Sequence, residues 1–321
     1  MTIGGEYLHR ALQQKLPKVL MAKRKKLLFE NGVLIPTDPS LVPGAREVVQ
    51  DQISEHGEAA LMSTDASDIP LVEITASENN YRVAKAMAGF SISYDEEQAA
   101  AIAATNGVTY NVRNTKQTTA ARVIGERLND FAAYGSTNLN VTGLVNDGNV
   151  TLTDSSFDPY DANSSAEDIA DFILEELTAI ATATNNVEDP TDLIVDTEFW
   201  GLIRRRTMKD SATPVLDFIK ARLEESEVPN GIQNIYPRPE LLSTNLEAKG
   251  VQSAGTNKSR FVLYARDEEL VCRYNRITEM LPFEFTEVRN GRRLYLMQGC
   301  STETIVKYPG SMRYVDAPKK S

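Results

Sequence analysis

The sequence predicts an α+β protein, and three observations carry that class. A long amphipathic helix occupies 114–135, an alternating, helix-poor ribbon precedes it, and from about residue 165 strands alternate with helices before a mostly β tail. In the central stretch, NTKQTTAARVIGERLNDFAAYG, apolar Ala120, Ala121, Ile124, Leu128, Phe131 and Ala132 recur at helical spacing. Arg122, Glu126, Arg127, Asn129 and Asp130 take the remaining faces. Asn114 or Thr115 can cap the start and Gly135 can stop the helix, which makes a rod of about 20 residues, roughly 30 Å long.

A chain of 321 residues, 41% hydrophobic and 25% charged, has ample material for one large core or two smaller ones. No apolar run approaches the ~18 residues of a membrane span, and the N-terminus lacks a signal-peptide pattern. Cys272 and Cys300 make neither a disulfide framework nor a metal knuckle, so each reads as a small apolar filler in a strand, in keeping with an intracellular origin. The net charge of −11 is unevenly placed: residues 1–30 carry +5, which leaves −16 on the remainder. A basic tail on an acidic body points to contact with something acidic, either another copy of the body or nucleic acid. The acidic body itself argues against a broad nucleic-acid-binding surface.

Taken in order, Tyr7 to Phe29 reads as a helix interrupted at Pro17, with AKRKK inside it as a solvated basic face. Val33 to Gly44 holds three prolines and is expected to be extended, stable only when laid along other surfaces. Val48 to Glu55 is a strand, Ser63 to Pro70 a polar tip, and Leu71 to Ala84 the return. In Val83 to Tyr94, Phe90, Ile92 and Tyr94 alternate as a half-buried strand. A long two-stranded ribbon is not self-supporting in water, so it is expected to lie on a neighbouring subunit. Glu96 to Thr105 is a short Ala-rich helix.

After the long helix, Gly143 to Val150 is a turn-rich link. Thr153 to Asn163 contains three aspartates but lacks the ligand spacing and turn glycine of a calcium loop, so it reads as a solvated loop. Ser165 to Asp168 is a capping box for a helix whose stripe is Ile169, Phe172, Ile173, Leu177 and Ile180. Asp192 to Asp196 is a buried strand with Asp196 capping the helix from Thr197. Thr213 and Pro214 are an N-cap and first-turn pair for the next helix, and Ile232 to Tyr236 is another strand. In the tail, Arg260 to Arg266 and Leu270 to Tyr274 flank a tight connection. Pro282 to Gln298 is a hairpin on Asn290-Gly291, and Glu303 to Tyr308 is the last strand before PGSMRYVDAP.

Reactive chemistry is sparse. His9 and His56 lie apart from any nucleophile pattern, and no nucleophile elbow, phosphate loop, H-E-x-x-H or Cys-x-x-Cys occurs. Glu175 and Glu176 are adjacent on a helix and point about 100° apart, which rules out an acid/base pair. No catalytic, cofactor-binding or metal residue is assigned.

The basic arm, the ribbon, FSISYDEEQAAA, the helix ending FAAYGS, then GLVNDGNV, an α/β unit and a β tail closing on IVKYPGSMRYVD together resemble a major capsid protein of tailed bacteriophages. This is the Hong Kong 97-type fold shared with encapsulin shells. The resemblance implies an N-terminal arm (1–44), an extended β-hairpin loop (45–86), a peripheral domain with a long spine helix (87–144), an α/β axial domain (145–265) and terminal strands returning to the peripheral domain (266–321). It implies hexamers and pentamers of one chain closing an icosahedral shell around double-stranded DNA without sequence-specific binding. Portal, scaffolding and decoration proteins are the implied partners, with no cofactor and no membrane. Candidate subunit-contact residues are Lys23, Arg24, Lys25 and Lys26 in the arm, Arg46, Asp65 and Asp68 in the ribbon, and Arg122, Glu126 and Arg127 on the spine. Some such shells are locked by a lysine on the extended loop, but no lysine occurs here between Lys26 and Lys85, so closure is expected to be non-covalent. An encapsulin-like cargo shell and a soluble α/β enzyme with a site around Asp196 are the alternative readings.

Overall fold

The computed structural model describes residues 24–56, 72–105, 111–185, 187–188, 190–209, 211–224, 232, 234–251, 257–280 and 292–319. In chain order its elements are β1 (Thr37–Asp38), β2 (Glu47–His56), β3 (Glu73–Ser93), α1 (Tyr94–Thr105), α2 (Val112–Tyr134), β4 (Thr151–Asp154), α3 (Ala166–Ala183) and β5 (Asp192–Val195). There follow α4 (Thr197–Arg205), α5 (Val215–Glu224), β6 (Asn234–Pro237), α6 (Ser243–Ala248), β7 (Lys258–Tyr264), β8 (Val271–Met280), β9 (Arg292–Thr302), β10 (Ile305–Val306) and β11 (Met312–Pro318). Two sheets result. One runs β1-β8-β9-β3-β2 with β10 on β8, and the other runs β4-β11-β7-β5-β6. The chain divides into two contact units, a larger one (Leu28–Lys85, Arg127–Ile277, Cys300–Ser321) and a smaller one.

The larger unit is built on the five-stranded sheet. β11 lies parallel to β4 and antiparallel to β7, and β5 lies parallel to β6 and antiparallel to β7. Strand alternation splits its side chains. Phe261, Leu263, Val315 and Ala317 join a core with Ile169, Ile173, Leu177 and Ile180 of α3, Phe199 and Ile203 of α4, and Ile219 of α5. Val262, Tyr264, Met312 and Tyr314 join a second core with Phe29, Leu34, Ile35, Leu144 and Leu246. Each fully buried side chain of this size contributes about 1.5–3 kcal/mol, so two cores packed on one sheet stabilise this unit strongly. The capping box expected at α3 is present: Ser165 Oγ accepts from Asp168 N and the Asp168 carboxylate accepts from Ser165 N. Of the predicted stripe only Phe172 is merely half-buried.

Four expectations need correction. β11 is the last strand, whereas Glu303 to Tyr308 contributes only the two-residue β10. The reason is that β11 is buried on both faces, so it shows no alternation, and Arg313 and Asp316 break up its apolar run. The spine helix begins at Val112, and its cap is Asn111, whose Oδ1 accepts from Asn114 N at 3.0 Å. Tyr94 opens α1 and is exposed instead of ending the strand. Pro214 precedes the helix as its cap, with its carbonyl accepting from Phe218 N, instead of standing at the first helical position. The predicted N-terminal helix, the ribbon tip, both histidine side chains and the Asn290-Gly291 turn lie outside the described residues.

Gly135, at φ +72°, ends the spine where predicted. A Cβ there would stand 2.3 Å from Val141 O, and one on Gly143 would stand 2.4 Å from Ala133 O. The backbone therefore folds back on itself with no room for a side chain, and Leu144 and Val145 N–H groups close on Ala132 and Ala133 carbonyls.

Among the described residues the smaller unit takes 24–27, 86–105, 111–126, 278–280 and 292–299. Phe90 of β3 stacks on Tyr295 of β9 with centroids 5.1 Å apart, and the Arg113 guanidinium lies 4.9 Å from the same ring. Ser93 and Glu96 form a second capping box, at α1, and Lys116 Nζ donates to Ser91 O and to the Glu96 carboxylate. α1 buries no side chain.

Candidate functional site

Two features of the larger unit bear on function: a strap that is bound into the body and a ribbon that is not. The strap follows directly from Lys26. Phe29 is fully buried, its N–H donates to Asn129 Oδ1 at 3.1 Å, and its carbonyl accepts from Arg273 Nη1 at 3.0 Å. Farther along, Tyr264 Oη donates to Leu34 O at 2.6 Å, Arg273 N donates to Pro36 O, and β1 pairs in parallel with β8. The proline-rich stretch is extended only in part, since 33–35 bend, Thr37–Asp38 pair as a strand and 43–44 turn, and the surface it lies on is its own chain. Burial pushes the Arg273 guanidinium down to about 10, while it raises the Glu30 carboxyl against the pull of that same charge.

The ribbon is the antiparallel pair of β2 and β3, in register from Glu47↔Arg82 to His56↔Glu73. Its base is tied down. Arg82 Nη1 donates to Leu139 O, and Arg82 and Glu303 exchange hydrogen bonds. Along one face, Val48, Gln50, Gln52, Asn79 and Tyr81 are half-buried, and Gln50, Asp51, Gln52, Ile53, Asn79 and Tyr81 line a 200 Å³ cleft with Glu269, Lys307 and Tyr308. The opposite face carries Val49, Asp51 and Ile53 across from Asn80, Glu78 and Ala76, all exposed, with Val49 56% and Ile53 65% accessible. Ile74 follows on the same face at 64%. Large apolar side chains in water along a two-stranded ribbon mark a surface meant to be covered.

The candidate contact residues fall as follows. Arg24, Lys25, Lys26 and Arg46 are exposed. Arg122 pairs with Glu126 one turn along the spine, and Arg127 lines an open polar cleft of about 630 Å³ with Asp130, Tyr134 and Lys249, in which Lys249 Nζ meets Asp130 at 2.7 Å. Lys23, Asp65 and Asp68 lie outside the described residues. Sequence reading missed Asn129 and Arg273, which hold the strap, and Ser301, whose Oγ accepts from Arg273 Nε at 2.9 Å.

The alternative enzyme site does not assemble. Asp196 caps α4 by accepting from Glu198 and Phe199 N–H groups, and its other oxygen accepts from the Tyr160 hydroxyl. Burial raises its pKa, but every oxygen is already engaged, so it is a structural cap. Trp200 packs partly buried against the helical core. Among the described residues no group of three His, Cys, Asp or Glu could hold a metal, and no helix is long and apolar enough to cross a membrane.

The fold is similar to that of the capsid of Myoviridae phage XM1, at 13% identity and a TM-score of 0.75, covering 98% of this chain and 99% of that one. Mycobacterium phage Bobi gives 13% identity and a TM-score of 0.60, with 99% of each chain covered. The capsid of a native GTA particle gives 9% and 0.64, also over 99% of each chain. No curated protein sequence matches the chain. The α+β class and the Hong Kong 97-type expectation thus rest on solved capsid folds along nearly the whole length. Residues 57–317 match the family model described as major capsid protein, and the chain therefore belongs to the major capsid protein family, as a structural component of a virion shell.

Proposed function

We propose that copies of this chain associate as hexamers and pentamers that close an icosahedral shell around double-stranded DNA. The observation that carries this reading is the ribbon, anchored at its base and apolar on its outer face, in a chain that matches the capsid family through residues 57–317. Residues 1–44 act as the arm, 45–86 as the loop over a neighbour and 87–144 as the peripheral domain with the spine. The axial domain is residues 145–265, its sheet completed by β11, and the remaining strands of 266–321 return to the peripheral domain. Lys23, Arg24, Lys25, Lys26, Arg46, Asp65, Asp68, Arg122, Glu126 and Arg127 serve the contacts between copies. The shell is made in the host cytoplasm with a scaffolding protein, carries a portal at one vertex, and offers its outer face to a decoration protein. The acidic body lets packed DNA slide instead of sticking.

Negative-stain microscopy of the purified protein, with light scattering at low and high salt, tests the proposal. Closed shells, tubes or free capsomers that weaken with salt are expected, and a salt-independent monomer or dimer even with scaffold present overturns it. Boiled particles should run as monomers on a denaturing gel because the loop offers no lysine, and a ladder of covalent oligomers would refute non-covalent closure.

A further inference from the structure

The 630 Å³ cleft at the end of α2 is polar and has a rigid wall. In the turn that lines it, Ser136 and Val141 exchange backbone hydrogen bonds at 3.0 and 3.2 Å, and Asn140 holds φ +51°. The Asn138, Asn140, Thr142 and Asn146 side chains that line it make no hydrogen bond among the described residues. Its charge is also incomplete. Asp130 is paired with Lys249 at 2.7 Å, whereas exposed Arg127 has neither ion pair nor hydrogen bond among the described residues. One uncompensated positive charge therefore stands beside unused amide and hydroxyl groups, on a body that carries −16. A nucleic-acid backbone needs more cations than this and would meet the Asp130 carboxylate. The chemistry fits a peptide turn that carries carboxylates, with the guanidinium pairing the acid and the asparagine amides pairing main-chain groups.

The chain presents such a turn. Asp267, Glu268 and Glu269 join β7 to β8, are all exposed, and are held by Leu270 and Val271 N–H groups on the Asp267 carbonyl. The Glu268 carbonyl accepts from Lys307 Nζ, but its carboxylate has no hydrogen bond or ion pair among the described residues. The acidic run 95–97 is already engaged, since Glu96 accepts from Ser93 N and from Lys116 Nζ. Strands fix the 267–269 turn at both ends, so little ordering is lost when it docks. Within one chain Arg127 and Glu268 do not meet, and each lacks the partner that the other supplies. We propose that the cleft lined by Arg127, Asn138, Asn140 and Asn146 receives the acidic turn 267–269 of a second copy of this chain, with Arg127 pairing Glu268. The cleft and the turn are different surfaces, so the contact is head-to-tail and propagates from copy to copy. The inference deepens the shell proposal and rests on it for the identity of the second copy.

Disulfide trapping between two single-site variants of the full-length protein tests the contact. One chain carries Asn138→Cys and the other Glu268→Cys, and the native Cys272 and Cys300 are buried. After mixing and mild oxidation, a non-reducing gel should show a dimer band in the mixture and not in either variant alone. The two new cysteines sit in different chains, so the band reports a second copy and not a contact within one chain. Placing Arg127→Glu in the Asn138→Cys chain should cut the band about tenfold, and Arg127→Lys should retain most of it. Added salt should also weaken it. Trapping that ignores both Arg127 changes, or that is as strong in either variant alone, overturns the proposal. Particles without a dimer band in the mixture overturn the docking and leave the shell reading standing. A dimer band from wild-type-like chains that build no particle does the reverse.

Discussion

The five-stranded sheet and the β2–β3 ribbon belong to the same contact unit and solve opposite problems. In the sheet even charge is internal. Arg260 of β7 and Asp316 of β11 are cross-strand partners, 1% and 0% exposed, joined at 2.7 and 2.9 Å in a two-point pair, with Arg260 Nη1 donating to Val145 O and its guanidinium 5.0 Å from the Tyr314 ring. In the ribbon even apolar groups are external, as Val49 and Ile53 show. The sheet is covered on both faces by its own chain, whereas the ribbon keeps one face exposed. Stability and assembly are therefore governed by different residues, and mutations should separate them.

The largest effect is expected within the sheet. Asp316→Ala strands a buried guanidinium and should cost about 3–5 kcal/mol in urea unfolding of the unassembled protein, whereas Arg260→Met with Asp316→Leu should recover most of it. Recovery would show that satisfaction of the charge matters more than the ion pair. Next comes Ser165→Ala, which removes the α3 cap and should cost about 1 kcal/mol without altering assembly.

A smaller effect has a pH signature. Burial raises the Asp192 carboxyl, so its folded pKa exceeds the unfolded value and the stability it contributes is present at low pH and lost as pH rises through the folded value. Asp192→Asn should accordingly melt above the wild type at pH 7, with the gap closing as pH falls toward about 4. A gap independent of pH would mean that the gain is packing. The smallest effect on stability is the sharpest contrast: Ile53→Thr on the ribbon should stay within about 0.5 kcal/mol of wild type in the free chain and yet reduce particle yield.

Local chemistry made most elements legible in the sequence. The box at Ser165 and the Asp196 cap need only a few neighbouring residues, and the ribbon strands show their alternation. The Ser93 to Glu96 box had the same spacing and went unread because it sits inside what looks like a continuing strand. The strap was read as extended but not as anchored, since Phe29 meets Asn129 across 100 residues and Arg273 across 244. The acidity of the ribbon was legible as composition, whereas the opposition of Asp51 and Glu78 depends on register, which a single strand does not declare.

The backbone crossing at Gly135 and Gly143 has a consequence for variation. Capsid chains can share this fold at 13% identity, so nearly every side chain is negotiable in a replicating population. These two positions are not, because any Cβ would collide with main-chain atoms that no compensating substitution can remove. A library of all single substitutions, passaged through assembly, should return glycine alone at both sites.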